Sequence, residues 1–343
     1  MTKSSTEPQT VKIAINGFGR IGRAVLRAYF ENDWAAKGLE LVAINETAEV
    51  SNSDIARLSQ YDSVHGRFAH QITADEQGIR IAERHIQRLQ QAAADQLPWA
   101  ALGVDIVLDC SGQNRREQGE AHLAAGAQRV LFSAPVKAAD FTMVVGFNHT
   151  ELPASAKIVS NASCTTNCLA LVLAPLQQAY GIQQGLITTV HAWTADQKLL
   201  DGWHAEPRRE RAAPQAIVPT SSGAAYGVMN VMPELSGKLA AHSLRVPVMN
   251  MSLAEVTLTL NKTITTEQLQ HTLAEAAAQQ PNLLGFSEEP LVSCDYIHDA
   301  RSAIVDKEMT HTHGDLCRIL AWHDNEWAYA CRMLDGASVM ALA

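Results

Sequence analysis

Apolar positions along the chain fall into two rhythms. From Val11 onward, short and nearly continuous apolar runs are separated by stretches of helical spacing. VKIAI (11–15), LELVAI (39–44), VDIVLD (104–109), RVLFS (129–133) and TMVVG (142–146) read as buried strands. A glycine turn and the helical stretch IGRAVLRAYFEND follow the first run, and EQGEAHLAAGA (117–127) has helical composition between two others. Strands alternating with helices predict a parallel sheet wound on both faces. Residues 1–10 are polar and read as a loose tail.

Near residue 160 the rhythm changes. One strong helical stretch, TTNCLALVLAPLQQAYG (165–181), gives way to longer β-rich runs: GLITTVHAW (185–193), LRVPVMNMSLAEVTLTL (244–260), LVSCDYI (291–297) and LCRILAWHD (316–324). These predict a mixed, largely antiparallel sheet, with TTEQLQHTLAEAAAQQ (265–280) as a helix across it. Residues 195–216 are polar and contain proline, and read as an ordered surface loop. The expected fold class is α/β: a Rossmann-type doubly wound parallel sheet plus an α+β domain with a mixed, largely antiparallel sheet.

Composition narrows the function classes. With 343 residues, 47% hydrophobic and 18% charged, the chain is long and apolar enough for two packed domains. A formal net charge of −9 argues against nucleic acid or an anionic membrane as the main partner. A phosphate-bearing substrate stays open, because a few local arginines outweigh distant, screened acids. Six cysteines without disulfide-framework spacing, no signal-peptide core at the start and no run of about 20 apolar residues suit a reducing cytoplasm.

The first glycine turn carries chemistry. Asn16-Gly17-Phe18-Gly19-Arg20-Ile21-Gly22 contains G-x-G-x-x-G between a strand and a helix. Gly17 permits the tight turn, Gly19 lets backbone approach a pyrophosphate, and Gly22 lets the helix pack on the strand. The helix N-terminus offers unpaired N–H groups to the phosphates. Asn45-Glu46, ending the second strand, supplies the acidic group that suits a ribose diol and repels a 2′-phosphate, which favours NAD over NADP.

A second feature is Ser163-Cys164-Thr165-Thr166-Asn167-Cys168, where the strand-like AKIVSNA becomes a helix. A cysteine at a helix N-terminus is expected to have a lowered pKa and makes a candidate nucleophile. Taken alone, a buried structural thiol is the commoner reading, and Cys168 fits it. No metal is expected, because no Cys/His group with zinc spacing accompanies the pair. His191, at the end of GLITTV, is the candidate base; most of the thirteen histidines read as surface residues. The sequence does not show that His191 meets Cys164.

The segments INGFGRIGR (15–23), YDSVHGRF (61–68), SNASCTTNC (160–168), VHAWTADQ (190–197), RRERAA (208–213), SSGAA (221–225), RVPVMN (245–250) and DNEW (324–327) together resemble the glyceraldehyde-3-phosphate dehydrogenase family, from about residue 11 to the C-terminus. The resemblance implies that Cys164 is the nucleophile and His191 the base. It implies that Thr194 and Arg245 hold the substrate's phosphate, and that Ser163, Ser222, Gly223 and Arg209 hold attacking inorganic phosphate, with Thr165 also at the substrate site. Gly17, Gly19, Arg20, Ile21, Gly22, Glu46 and Ser133 match cofactor contacts, and Asn325 the residue holding the nicotinamide carboxamide. It further implies a homotetramer, an NAD-binding domain over 11–163 with a C-terminal helix (326–343) packing back on it, and a catalytic and tetramerisation domain over 164–325. Arg245 also has a reading of its own, since an arginine isolated in an apolar run needs an anionic partner. Without the resemblance, Arg208, Arg209 and Arg211 read as a solvated charged loop.

Three readings follow. Phosphorylating oxidation of glyceraldehyde 3-phosphate leads, because Thr194 and Ser222-Gly223 are kept. Asn45-Glu46 and the segments 97–112 and 287–306 lean towards the erythrose-4-phosphate branch. A non-catalytic NAD sensor or adaptor is the alternative of another class, and the intact set of Cys164, His191, Thr194 and Arg245 argues against it. Thr47 leaves some NADP use open.

Overall fold

The first apolar run forms the strand Val11–Asn16, whose Ile13, Ala14 and Ile15 have no solvent exposure. It pairs in parallel on both edges, with Leu39–Asn45 and with Ile106–Asp109. Once the strand is covered on both faces it tolerates no polar side chain before its end, hence the apolar lettering of Ile13, Ala14 and Ile15 after the partly exposed Lys12. The computed structural model describes residues 10–343; of the tail expected over 1–10, all but Thr10 lies outside the described residues. The chain divides into two compact units. The first comprises residues up to Met143, Glu151–Asn161 and Ala330–Ala343, and the second Val144–Thr150 and Ala162–Tyr329.

Among the described residues the first unit's sheet has nine strands, in the order Phe141–Thr142, Ile158–Ser160, Arg129–Phe132, Ile106–Asp109, Val11–Asn16, Leu39–Asn45, Arg84–Leu89, Gly78–Ile81 and Ile72–Ala74. All run parallel as far as Arg84–Leu89, and an antiparallel hairpin ends the sheet. This is the expected Rossmann-type sheet, with helices Arg20–Glu31 and Arg116–Ala124 near their expected positions. The strand expected over 142–146 is cut short after Thr142. There the Asn148 side chain accepts from the Val144 N–H (2.7 Å) and Phe147 N–H donates to the Val144 carbonyl (3.1 Å), so a local turn takes the groups a ladder needs. The C-terminal helix, Trp327–Leu342, comes so close to this sheet that a Cβ on Gly336 would lie 3.0 Å from Leu131.

A buried polar chain ties the ends of three adjacent strands. Asn45 donates to the Asn16 side-chain carbonyl (2.8 Å), and Asn16 donates to Asp109 (3.1 Å). Trp99 donates its indole N–H to His122 Nδ1 (2.9 Å), which places the imidazole proton on Nε2, aimed at Asp109 (3.0 Å). Every polar atom of that imidazole thus has a partner, as burial requires.

In the second unit the sheet order is Val218–Ser221, Leu239–Val246, Ile182–Ala192, Ser252–Leu260, Leu316–His323, Ala303–Asp306 and Leu284–Ser287, with His311–His313 paired onto Leu316–His323. Two of its pairings are parallel and the rest antiparallel, as a mixed sheet requires. The run expected over 244–260 is two strands, because Pro247 offers no N–H and Met251 takes a left-handed φ of 78°. The strand expected over 291–297 is instead a short 3₁₀ turn, Ser293–Tyr296. The Asp295 carboxylate accepts from the Val292 N–H (2.8 Å) and closes the turn.

One face of this sheet carries the helix Cys164–Tyr180. Side chains alternate along each strand, so Ile187, Val256, Leu258, Ile319 and Ala321 meet Leu169, Leu173 and Leu176 of the helix in one buried core. Each buried leucine contributes roughly 1.5–3 kcal/mol. The same inward rows end in polar residues: Thr189 and His191 on one strand, Ser252 on the next, His323 on the third. These ends are register partners, Arg245 with His191, His191 with Ser252, and Ser252 with His323. The strands therefore present one transverse row of chemistry at the end of the sheet.

Candidate active site

Two sites take shape, one in each unit. In the first, Gly17 adopts φ +89°, and a Cβ there would lie 2.5 Å from the Ser111 backbone. A Cβ on Gly22 would lie 2.2 Å from the Gly17 carbonyl, while Gly19 faces open space. The turn is thus packed tight on one side and open on the other, where a pyrophosphate has to approach. Gly17, Gly19, Glu46 and Thr47 line a cleft with Gln91, Cys110, Ser111 and Gln113. Glu46 accepts from the N–H groups of Phe18 (3.2 Å) and Ala48 (2.9 Å), which holds its carboxylate beside the turn. The helix starting at Arg20 has no side-chain cap at Gly19, so no side chain at that position competes with a ligand at the helix start.

Not every expected cofactor residue lines that cleft. Arg20 and Ile21 stand in the first turn of the helix, and the Arg20 guanidinium is paired with Asp62. That ion pair commits its charge within the protein rather than to a phosphate. Burial pushes the Asp62 carboxyl up, but hydrogen bonds from Arg20 and the N–H groups of His65 and Val64 outweigh it and hold it well below the usual range. Ser133, just past its strand, is not among the lining residues and donates its N–H to the Asp109 carbonyl (2.9 Å).

In the second unit, Ser163 caps the helix by accepting from the Thr166 N–H (3.0 Å), and Cys164 is the first helical residue. Cys164 Sγ lies 3.8 Å from His191 Nε2 and 3.9 Å from the Thr165 hydroxyl. His191 Nδ1 is 2.6 Å from the Ala192 carbonyl, which requires the ring proton on Nδ1 and leaves the Nε2 lone pair towards the sulfur. The geometry is that of nucleophile, base and orienting group.

The electrostatics correct one expectation. Burial pushes the Cys164 thiol up, and the Thr165 hydroxyl, Arg245 and nearby N–H groups only partly offset it. Burial, followed by Arg245, pushes His191 down to about 3. The free chain therefore holds a neutral thiol beside a neutral imidazole. The helix N-terminus is outweighed here because the sulfur leaves water at the same time as it meets the helix.

The guanidiniums flank this pair. Arg245 Nη1 donates to the Ala192 carbonyl (3.1 Å) and reaches the Thr194 hydroxyl (3.4 Å). Its Nε is buried without a hydrogen bond, and no carboxylate among the described residues forms an ion pair with it. Arg209 turns inward, donating to Asp196 (2.7 Å) and Thr220 (3.0 Å), while Arg208 stays exposed and Arg211 pairs with Asp201 at the surface. Both guanidiniums push His191 down, and Arg209 adds to the burial that lowers Arg245. Ser222 and Gly223 precede the helix Ala224–Val231, which lies against the nucleophile helix; a Cβ on Gly227 would sit 2.3 Å from the Thr166 hydroxyl. Asn325 accepts from Ser252 Oγ (3.1 Å) through its carbonyl oxygen.

Comparison with known proteins adds to this geometry. Residues 11–117 match the family model described as glyceraldehyde 3-phosphate dehydrogenase, NAD binding domain, and residues 163–325 match the C-terminal domain of the same family. A glyceraldehyde-3-phosphate dehydrogenase of Pseudomonas aeruginosa is 46% identical over 335 residues, 97% of this chain and 99% of that protein. The plasmid and chromosomal glyceraldehyde-3-phosphate dehydrogenases of Cupriavidus necator are each 43% identical over 337 residues, again 97% of this chain and 99% of theirs. The chain belongs to the glyceraldehyde 3-phosphate dehydrogenase family. It is an NAD-dependent dehydrogenase.

For a member of this family, sequence reasoning missed two groups of residues. Gln91, Ser111 and Gln113 follow the strands Arg84–Leu89 and Ile106–Asp109, where ligands gather at the carboxyl ends of parallel strands, so strand order was the signal for them. His323 was passed over among the thirteen histidines, yet it is 1% exposed, and its ring lies 6.3 Å from that of His191. Two further histidines besides His191 are buried, His122 and His323, against the surface reading of the rest.

Proposed function

We propose that the chain oxidises glyceraldehyde 3-phosphate to 1,3-bisphosphoglycerate through a thioester on Cys164, using NAD and inorganic phosphate. The observation that carries this reading is the 3.8 Å approach of Cys164 Sγ to the His191 Nε2 lone pair, beside an arginine without an acidic partner. Arg245 and Thr194 hold the substrate's phosphate, giving the buried guanidinium the anion it lacks. That anion offsets the positive field of Arg245 and Arg209 that depresses His191, so substrate docking itself raises the base.

The thiol proton passes to His191 Nε2 as sulfur bonds to the aldehyde carbon. The backbone N–H groups of the helix start stabilise the oxyanion, which takes the proton from His191 to give a thiohemiacetal and leaves the imidazole neutral. Bound NAD supplies the acceptor for the hydride that leaves this carbon, and Glu46, Gly17, Gly19 and the first turn at Arg20 are the residues that fit it. His191 takes the hydroxyl proton as the carbonyl reforms, giving the thioester. Inorganic phosphate, held by Arg209, Ser222 and Gly223, then attacks the carbonyl carbon, and the Cys164 sulfur leaves as thiolate. Ser163, already committed to its helix cap, contributes by fixing the start of the helix.

The curated relatives carry the triose-phosphate name, and this chain keeps Thr194, Ser222 and Gly223, so the tetrose reading is not favoured. The proposed assembly is a homotetramer. Leu199, Leu200 and Trp203 stand 64%, 78% and 91% exposed on the 195–216 segment, a set of apolar side chains that suits a partner surface. No helix among the described residues is long and apolar enough to cross a membrane. Six cysteines that form no disulfide among the described residues suit a reducing cytoplasm.

The test compares NADH formation from glyceraldehyde 3-phosphate and erythrose 4-phosphate, each with and without inorganic phosphate. Strict phosphate dependence with the triose is expected, and phosphate-independent turnover of the tetrose overturns the proposal. Cys164→Ser should lower turnover by about 10³-fold or more while NAD binding, read by fluorescence titration, is retained.

A further inference from the structure

We infer that Cys164, His191 and His323 form a binding site for a thiophilic divalent cation such as Zn²⁺, and that occupancy of this site reversibly silences the enzyme. One ligand atom from each of the three residues lies within 4.8 Å of the others. Sγ and His191 Nε2 are already 3.8 Å apart. Around a tetrahedral zinc with bonds of about 2.0–2.3 Å, neighbouring ligand atoms stand about 3.3–3.6 Å apart, so the site must close by about 1 Å. Side-chain rotations of Cys164 and His323 can supply that movement.

His323 separates this group from an ordinary cysteine and histidine pair. It is 1% exposed, and neither ring nitrogen has a hydrogen-bond partner among the described residues. A buried imidazole with two unpaired nitrogens is costly unless something else binds them. Strand register aims it at the site, because Ser252 between His191 and His323 is small enough for the two rings to approach over it. His191 has the outer support found in metal-bound histidines, its Nδ1–H donating to the Ala192 carbonyl (2.6 Å).

A thiolate with two imidazoles is a donor set for zinc, and three protein ligands leave a fourth position for water. Binding replaces the thiol proton, which is released to solvent, with a sulfur–zinc bond. It also occupies the nucleophile's sulfur and the base's lone pair together, so the bound metal blocks turnover. Arg245 and Arg209 oppose the added charge and keep the affinity moderate, which makes the block reversible.

The inference is tested without substrate, by metal binding, so it stands or falls apart from the identity of the aldehyde. Full-length chain carrying Cys294→Ser, which removes the exposed thiol, is titrated with Co²⁺ as an optical stand-in and then with competing Zn²⁺. One Co²⁺ per chain is expected, with thiolate-to-metal charge-transfer absorption and the ligand-field bands of a tetrahedral ion. Bound Zn²⁺ is expected to protect Cys164 from iodoacetamide until a chelator is added. His323→Phe and His323→Gln should each weaken binding by about 1,000-fold, beyond the roughly 10–100-fold that loss of an outer-shell partner costs. Absence of the one-to-one charge-transfer signal in the parent, or a folded His323 variant that binds as tightly as the parent, overturns the inference.

Discussion

His122 in the first unit and His323 in the second are both closed off from solvent at the end of a sheet, but their surroundings differ. His122 has Trp99 on one nitrogen and Asp109 on the other, and belongs to a polar chain that joins three parallel strands. His323 has neither nitrogen bonded, and it faces another imidazole and a thiol. A satisfied polar group in a core specifies structure, while an unsatisfied one carries a cost that stability alone does not explain. The difference separates a histidine that holds the fold together from one positioned for chemistry.

Mutations can sharpen or break this contrast. The largest effect is expected on the chemical side. His191→Asn should lower kcat by about 10²–10⁴-fold, the usual contribution of a general base, with little change in the urea midpoint. Next is His122→Phe, which takes one donor from the buried Asp109 carboxylate, still held by Asn16 and Ser111, and leaves the Trp99 indole N–H without its acceptor. Equilibrium urea unfolding should show a loss of about 1–3 kcal/mol, and folded protein should keep its kcat; unchanged stability would remove the structural half of the contrast.

A smaller effect concerns acid. Burial holds His323 down to about 4, from the usual 6.5. The folded chain keeps this imidazole neutral while the unfolded chain protonates it. Unfolding therefore takes up about one proton between those values, and stability falls as pH falls through that window. His323→Phe should remove about one proton from the measured slope of unfolding free energy against pH. At neutral pH the same substitution should shift stability by no more than about 1 kcal/mol in either direction, because no hydrogen bond is lost. A loss as large as that of His122→Phe would mean that His323 is a structural group after all.

Much of the first unit could be read from the letters. The glycine fingerprint forces a turn whose geometry depends on three local residues, and the observed contacts at Gly17 and Gly22 follow from that short spacing. In the second unit, the helix start at Cys164 and the strand leading to His191 were legible for the same local reason. The shape of the reactive row was not. Arg245, His191, Ser252 and His323 become neighbours through strand pairing, and residues so far apart in sequence leave no periodic signal. The strand misread over 291–297 shows the converse: an apolar, β-prone composition yielded to one aspartate able to bond the backbone three residues back. The ionisation of Cys164 was misjudged because helix placement is written in the sequence and burial is not.

The transverse row also bears on how this protein tolerates change in chain length. Groups drawn from one rung depend on the phase of each strand and hardly at all on what joins the strands. Connections that carry no group of the site, unlike 195–216 with its Arg209, can grow or shrink at modest entropic cost. One residue inserted between Ile187 and His191 would instead turn the imidazole to the sheet's opposite surface and leave Cys164 facing Val190.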